Sequence, residues 1–428
     1  MDITITPHNF SLNNPLVKVP ASKSHTIRML LIASLSEGES VIRNPLKSSD
    51  AASCLSVCRA LGAEITETLA LDKSIEKWTV KGLGGAQNIK RQTAPLDVGN
   101  SGTTLFLGLA IASLASYPIS FTGDAQIQKR SAEPLLAALE GLGVHVSSNN
   151  GCAPITVRGP WKGGLVSLEC PTSQYLSALL LASPLAGEEC LTEIDVPLLN
   201  EKPYIEMTLS YLQKQIPPPY NFSHFKIKGG GKYESLCASV SGDFSSAAFP
   251  SCAAVISAAK IAGNQTVEII GLDKNDFQGD KVFFDILARC GAFVEWKENS
   301  VVLGGGDLRG GTFDLNNTPD LLPICAVLAA YCRGQTRLLN VSHARIKETD
   351  RISVMCHELK KLGVEISELR DGLVINGGKG VRGGTVDGHG DHRVVMALAV
   401  CALGAASPIT ILGAEAADVT YPGFLGLL

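Results

Sequence analysis

The chain has 428 residues, 45% of them apolar and 18% charged, with a formal net charge of −4. That length accommodates two or three domains and a large buried core. The mild acidity argues against non-specific nucleic-acid binding, so positive charge that meets an anionic ligand must be local.

In chain order, "MDITITPHNF" alternates like a strand and has no signal-peptide character. The next stretch, "PASKSHTIRMLLIASL" (20–35), turns helical, with Ile27, Leu30, Leu31 and Leu35 on one face. A helix start at Ser22 or Ser24 would gather backbone donors, hydroxyls, the positive dipole end and the Lys23 ammonium at one spot, which suits an anion. The same residues also describe a capped core helix with a solvated lysine.

Similar leads into apolar helices recur at "GNSGTTLFLGLAIASL" from Gly99, "TSQYLSALLLASPLAG" from Thr172 and "DFSSAAFPSCAAVISAAK" from Asp243. Two more follow, "TPDLLPICAVLAAYCRG" from Thr318 and "DHRVVMALAVCALG" from Asp391. Counted from Ser22 the starts are spaced by 77, 73, 71, 75 and 73 residues, an internal repeat of six units. Pro323 leaves the start of the fifth helix uncertain by a turn. Between these helices lies a second kind, ending in "CRALGAEI", "LEGLGVHV", "LARCGAFV" and "LKKLGVEI", each with a glycine stop before alternating residues. "PYIEMTLSYLQKQI" is a less regular fifth.

Six units form one closed assembly or two lobes of three. The most linker-like stretch, 211–236, lies near the middle, and the expected division is 20–240 for the first lobe, with 1–19 and 241–428 for the second. Helix starts aimed into a cleft between lobes would concentrate positive potential there. The uncharged run 394–414 is divided by Gly404, Ser407 and Pro408, so a buried helix and a strand are expected rather than a membrane span. The twelve cysteines sit mostly in apolar helical patterns and read as reduced core residues of a cytosolic protein. Cys54 and Cys58 are one turn apart without a second ligand pair, so no metal site is expected.

The segments "PASKSHTIR", "DVGNSGTT", "TSQYLSALLLASPLA", "QGD", "PD", "RIKETDRI" and "GDHRVVMA", in this order, resemble the 5-enolpyruvylshikimate-3-phosphate (EPSP) synthases. The resemblance covers nearly the whole chain and implies an α/β fold of two lobes, each of three βαβαββ units. It implies transfer of the enolpyruvyl group of phosphoenolpyruvate to the 5-hydroxyl of shikimate 3-phosphate, with release of phosphate. No metal or cofactor, nucleic acid or membrane enters that reaction, and a cytoplasmic monomer is expected.

By the same resemblance, Glu348 handles the proton at the methylene carbon, Lys347 contacts the 5-hydroxyl and Asp320 is the base beside it. Arg351 and Arg393 clamp the enolpyruvyl carboxylate, with His392 near the reacting centre. Lys23 meets the leaving phosphate, and Ser24 and Arg28 hold shikimate 3-phosphate. Thr172, Ser173 and Gln174 suit the substrate phosphate and phosphoenolpyruvate. Tyr204 lines the ring, Gly102 lets backbone approach phosphoenolpyruvate, and Asn100, Thr103 and His343 are further substrate contacts.

Four positions depart from the family's pattern. Phe106 and Gln126 stand where arginines are usual, Val419 where a lysine is usual, and Glu201 where a small hydroxyl residue is usual, close to the expected substrate phosphate. Uncompensated loss of the cations at Gln126 and Val419 would cost about 3–6 kcal/mol, or about two to four powers of ten. A neighbouring Lys129 or Arg130 would have to fill that subsite. Two alternatives therefore stand beside the synthase: a binding or regulatory paralogue that kept the fold, and the related transferase acting on UDP-N-acetylglucosamine. The latter usually carries a reactive cysteine on a first-lobe loop, and "FTGDAQIQKRS" has none.

Overall fold

The computed structural model describes residues 1–8, 10, 15–70, 74–258 and 265–428. Contacts divide it into two compact units, Ala21–Val240 and Met1–Pro20 with Ser241–Leu428. Each unit has its own buried core.

Every unit contains three small sheets, one of three strands and two of four. Three of the six sheets are completed by strands distant in sequence. Leu16–Lys18 lies parallel to Thr266–Ile270 in one unit. Cys237–Ser239 lies parallel to Glu39–Arg43 in the other. Ile3–Ile5 adds antiparallel to Ile409–Leu412. The N-terminal stretch is thus two three-residue strands, and residues 9 and 11–14 lie outside the described residues.

Residues 211–236, read from sequence as linker-like, are folded into the unit Ala21–Val240. His224–Lys228 pairs antiparallel with Leu191–Asp195, and Tyr233 is buried with its hydroxyl donating to the Leu181 carbonyl at 2.6 Å. The physical reason is the alternation of buried Phe225 and Ile227 with outward lysines, which the prolines and glycines on either side obscure.

The six repeated helices are Lys23–Leu35, Gly102–Ala112, Ser173–Ala182, Phe244–Ala258, Leu322–Tyr331 and His392–Gly404. Lys23–Leu35 is buried all round from His25 onward, so the single apolar face read from sequence understates it. A helix that is apolar on every side belongs in the middle of a core. Pro323 causes no break: a 3₁₀ turn at Pro319–Leu321 leads in, and Pro323 stands in the first turn of Leu322–Tyr331, where its missing N–H is not needed. The run 394–414 is the buried helix His392–Gly404 followed by the strand Ile409–Leu412. Among the described residues no helix is long and apolar enough to cross a membrane. The second set of helices, Ser49–Leu61, Glu133–Gly141, Lys202–Tyr211, Val282–Arg289 and Arg351–Lys361, is buried on one side only.

Candidate active site

In the unit Ala21–Val240 the three central helices begin on hydroxyl caps. Ser22 accepts from the His25 N–H at 3.5 Å, Ser101 from Thr104 at 3.3 Å and Thr172 from Gln174 at 3.5 Å. Behind these starts the helices are buried, and the residues left partly exposed are Lys23 and Ser24, Thr103, and Gln174. Side chains that can still meet a ligand therefore coincide with the positive helix ends.

Lys23 is held by Asp50, with Nζ 3.1 Å from Oδ2. Arg28 is 1% exposed and its donors go to its own unit: Nε to Thr208 Oγ1 at 2.9 Å, Nη1 to the Ser24 carbonyl at 3.1 Å and Nη2 to Ser177 Oγ at 3.3 Å. Burial brings its pKa down to about 10, against the opposing pull of Tyr211, Tyr204 and Glu201, so it remains a cation at neutral pH. Arg28 thereby ties together the helices that carry Ser24, Ser177 and Tyr204.

A second group surrounds Gly102. A methyl group at this residue would lie 2.7 Å from Arg130 Nη1 and 3.6 Å from Gln174 Oε1, so only glycine lets the guanidinium come this close. Arg130 Nη2 also donates to Asn100 Oδ1 at 3.4 Å, while Asn100 Nδ2 donates to Asp124 at 2.6 Å and to Gln126 Oε1 at 2.7 Å. Gln126, where sequence pattern expected a cation, thus orients Asn100. Phe106 packs edge-on against Tyr175 with ring centroids 5.0 Å apart, and Tyr175 anchors to the Ser131 carbonyl at 2.6 Å. Glu201 turns inward: its Oε2 accepts from Thr172 Oγ1, the Ser173 N–H and Ser173 Oγ at 3.1, 2.9 and 2.8 Å.

The unit that contains Ser241–Leu428 builds a network of charges. Arg351 is fully buried and donates to three carboxylates: Asp391 through Nε at 2.8 Å and Nη2 at 3.2 Å, Asp320 through Nη1 at 2.7 Å, and Glu348 through Nη2 at 2.5 Å. Arg393 joins from the next helix, with Nη2 2.9 Å from Asp320 Oδ2 and Nη1 donating to Ser245 Oγ at 2.5 Å. Ser245 in turn donates to Asp280. Asp350 caps the helix Arg351–Lys361 and Asp391 caps His392–Gly404, which fixes where both arginines start.

Charges in this network set one another's protonation. Burial alone would raise Asp320, but Arg393, Lys347 and Arg351 hold it well below the usual carboxylate range. Arg351 is held above its ordinary value by Asp391, Glu348 and Asp320, against the effect of burial. Asp280 goes the other way: burial and the nearby Asp320 push it up to about 7. His392 is buried at the helix start beside Asp391, and His343 is buried in the turn Ser342–Ile346, which packs on Pro319–Leu321.

Several residues of these clusters escaped the sequence reading as site residues, among them Asp50, Asp124, Ser177, Thr208, Ser245, Asp280 and Asp391. Asp391 in "GDHR" and Asp280 in "QGD" were visible as letters, and the capping position of an aspartate before a helix was the available signal for Asp391. Nothing local marks Asp50 or Ser245, since each is identified only by the cation it meets.

Fold and site together define an α/β protein of repeated units, with hydroxyl-capped helix starts and a buried Arg28 in one unit and a network of arginines and carboxylates around Arg351 in the other. Comparison with known proteins specifies the class. The family model for EPSP synthase (3-phosphoshikimate 1-carboxyvinyltransferase) matches residues 13–428. A 3-phosphoshikimate 1-carboxyvinyltransferase of Acetivibrio thermocellus is 46% identical over 416 residues, covering 96% of this chain and 94% of the relative. Among solved structures, an EPSP synthase from Acinetobacter baumannii superposes with a TM-score of 0.80 at 26% identity, covering 100% of this chain and 97% of that one. The enolpyruvyl transferase NikO from Streptomyces tendae, at 18% identity and a TM-score of 0.77 over 99% of this chain and 96% of its own, shares the fold. The chain belongs to the EPSP synthase family.

Proposed function

We propose that this protein transfers the enolpyruvyl group of phosphoenolpyruvate to the 5-hydroxyl of shikimate 3-phosphate and releases phosphate. The observation that carries the reading is the family match over 13–428, with the family's charged motifs standing at capped helix starts. The reaction adds the hydroxyl oxygen to C2 of phosphoenolpyruvate and a proton to C3. It then expels phosphate as C3 gives a proton back, so proton donors and acceptors must flank the carbon and cations must hold each anion.

In this reading Arg351 and Arg393 receive the enolpyruvyl carboxylate, Glu348 exchanges the proton at C3, and His392 stands nearby. Asp320 takes the hydroxyl proton with Lys347 beside it. Paired to two arginines, Asp320 is a weak base. A substrate carboxylate that competes for the same guanidinium groups would raise its basicity as the complex forms. Lys23, with Arg130 in place of the cation absent at Gln126, receives the leaving phosphate. Ser24, Arg28, Thr172, Ser173 and Tyr204 hold the acceptor, and Asn100, Gly102, Thr103, Gln174 and His343 complete the contacts.

We further read the working form as a cytoplasmic monomer that needs no metal. Twelve free cysteines, ten of them buried, fit a reducing compartment. The deciding experiment mixes purified protein with phosphoenolpyruvate and shikimate 3-phosphate and follows inorganic phosphate. Release that requires both substrates is expected. Folded protein that gives no release above background defeats the reading, and ligand-induced stabilisation without turnover would favour a binding paralogue.

A further inference from the structure

The start of the helix Ser173–Ala182 already holds an anion, and that anion is part of the chain. Glu201 is 2% exposed, and a single carboxylate oxygen collects donors from Thr172 Oγ1, Ser173 Oγ and the Ser173 backbone. Three donors converging on one oxygen at a helix N-terminus is the pattern with which proteins bind a phosphate oxygen. The backbone that delivers the side chain is unusual for glutamate, with φ 57° and ψ 38°, in the left-handed region. It is also pinned. The Cys170 N–H donates to the Leu198 carbonyl at 2.8 Å and the Asn200 N–H to the Cys170 carbonyl at 3.1 Å, so residues 198–201 are fastened alongside 170–173. The adjacent lysine does not accompany the carboxylate inward: Lys202 lies 3.5 Å from Glu206 and over the Phe222 ring at 4.2 Å.

We infer that Glu201 is a specificity-determining residue, a resident carboxylate that competes with the acceptor's phosphate for the Thr172–Ser173 helix start. Two anions cannot accept the same donors at once, and a phosphate placed beside the retained carboxylate would meet like-charge repulsion in a buried setting. A phosphorylated acceptor must therefore displace the glutamate, whereas an acceptor with a neutral hydroxyl there does not. The chain consequently discriminates weakly between phosphorylated and unphosphorylated acceptors, and the carboxylate at 201 is the cause. This inference rests on the acceptor assignment proposed above.

Titration calorimetry on the full chain with shikimate 3-phosphate and with shikimate, for wild type, Glu201→Ser and Glu201→Gln, tests it. Glu201→Ser is expected to tighten shikimate 3-phosphate at least tenfold, about 1.4 kcal/mol, and to change shikimate less than about twofold. Glu201→Gln keeps the shape without the charge and falls between, which decides the matter if the serine variant does not fold. Steady-state rates should show KM for shikimate 3-phosphate falling with kcat little changed. Unchanged or weaker shikimate 3-phosphate binding in both variants overturns the inference, as does equal tightening of both ligands. The two failures are separable. Wild type that turns over with no affinity gain in the variants defeats only the role of Glu201. A gain in affinity with no turnover in any chain defeats only the assigned reaction.

Discussion

Arg351 and Asp391 form a two-point pair with no exposed surface: Nε meets Oδ2 at 2.8 Å and Nη2 meets Oδ1 at 3.2 Å. Asp391 at the same time accepts from the Arg393 N–H at 2.9 Å as cap of the helix His392–Gly404. One carboxylate therefore holds the first arginine by its side chain and the second by its backbone. Asp391→Asn keeps the cap but leaves buried positive charge under-compensated, and we expect a loss of about 3 kcal/mol in stability. Asp391→Ala should lose about 1 kcal/mol more with the cap. Urea unfolding at pH 7 measures both, and a cost below about 1 kcal/mol for the asparagine variant would show the pair to be dispensable.

Asp280 supplies a pH signature. Its folded pKa, pushed up to about 7 chiefly by burial, lies above the unfolded value of about 3.9. The folded state then holds the proton more tightly. The group's contribution is fully present below about pH 4 and is lost as pH rises through about 7. Asp280→Asn mimics the protonated form and retains a partner for Ser245. We expect its stability advantage over wild type to grow from pH 4 to 7 and to level off above, at about 4 kcal/mol. A difference that does not vary with pH in calorimetric melts would mean that Asp280 is ionised throughout.

Gly102 and Arg130 give a test of the subsite emptied at Gln126. The Gly102→Ala methyl would press on Arg130 Nη1 from 2.7 Å and drive the guanidinium away. We expect KM for phosphoenolpyruvate to rise about tenfold, equivalent to 1.4 kcal/mol. Arg130→Ala should match or exceed that change. If initial rates show Arg130→Ala with unaltered KM and kcat, this arginine does not replace the missing cation.

Lys23 is partnered by Asp50 at 3.1 Å, and both side chains are largely shielded. Lys23→Met removes a cation assigned to the leaving phosphate, and a fall in kcat of about 100-fold or more is expected. Asp50→Asn leaves the ammonium in place but unguided, and its loss should be smaller. Phosphate-release assays on the two variants rank them. Equal effects would reduce Lys23 to a structural partner of Asp50.

Much of this protein was written locally. The spacing of six polar leads into apolar helices, the glycine stops and the apolar runs specify repeated units, because caps and stops act within a few residues of themselves. Motifs such as "RIKETDRI" and "GDHR" are contiguous, so the family resemblance they carry named Glu348, Arg351 and Arg393 before any fold was known.

Tertiary structure decided what those charges touch. Asp50 lies 27 residues from Lys23, and Glu201 lies 28 residues from Ser173, so neither pairing has a local signature. The direction of the Glu201 side chain depended on a left-handed backbone fastened to a neighbouring segment. Residues 211–236 likewise became part of a unit because Leu191–Asp195 offered an edge to the alternating His224–Lys228, and nothing in the stretch itself names that partner. Burial and electrostatic coupling come from many chain segments converging on one place, and a linear sequence records the participants without recording the convergence.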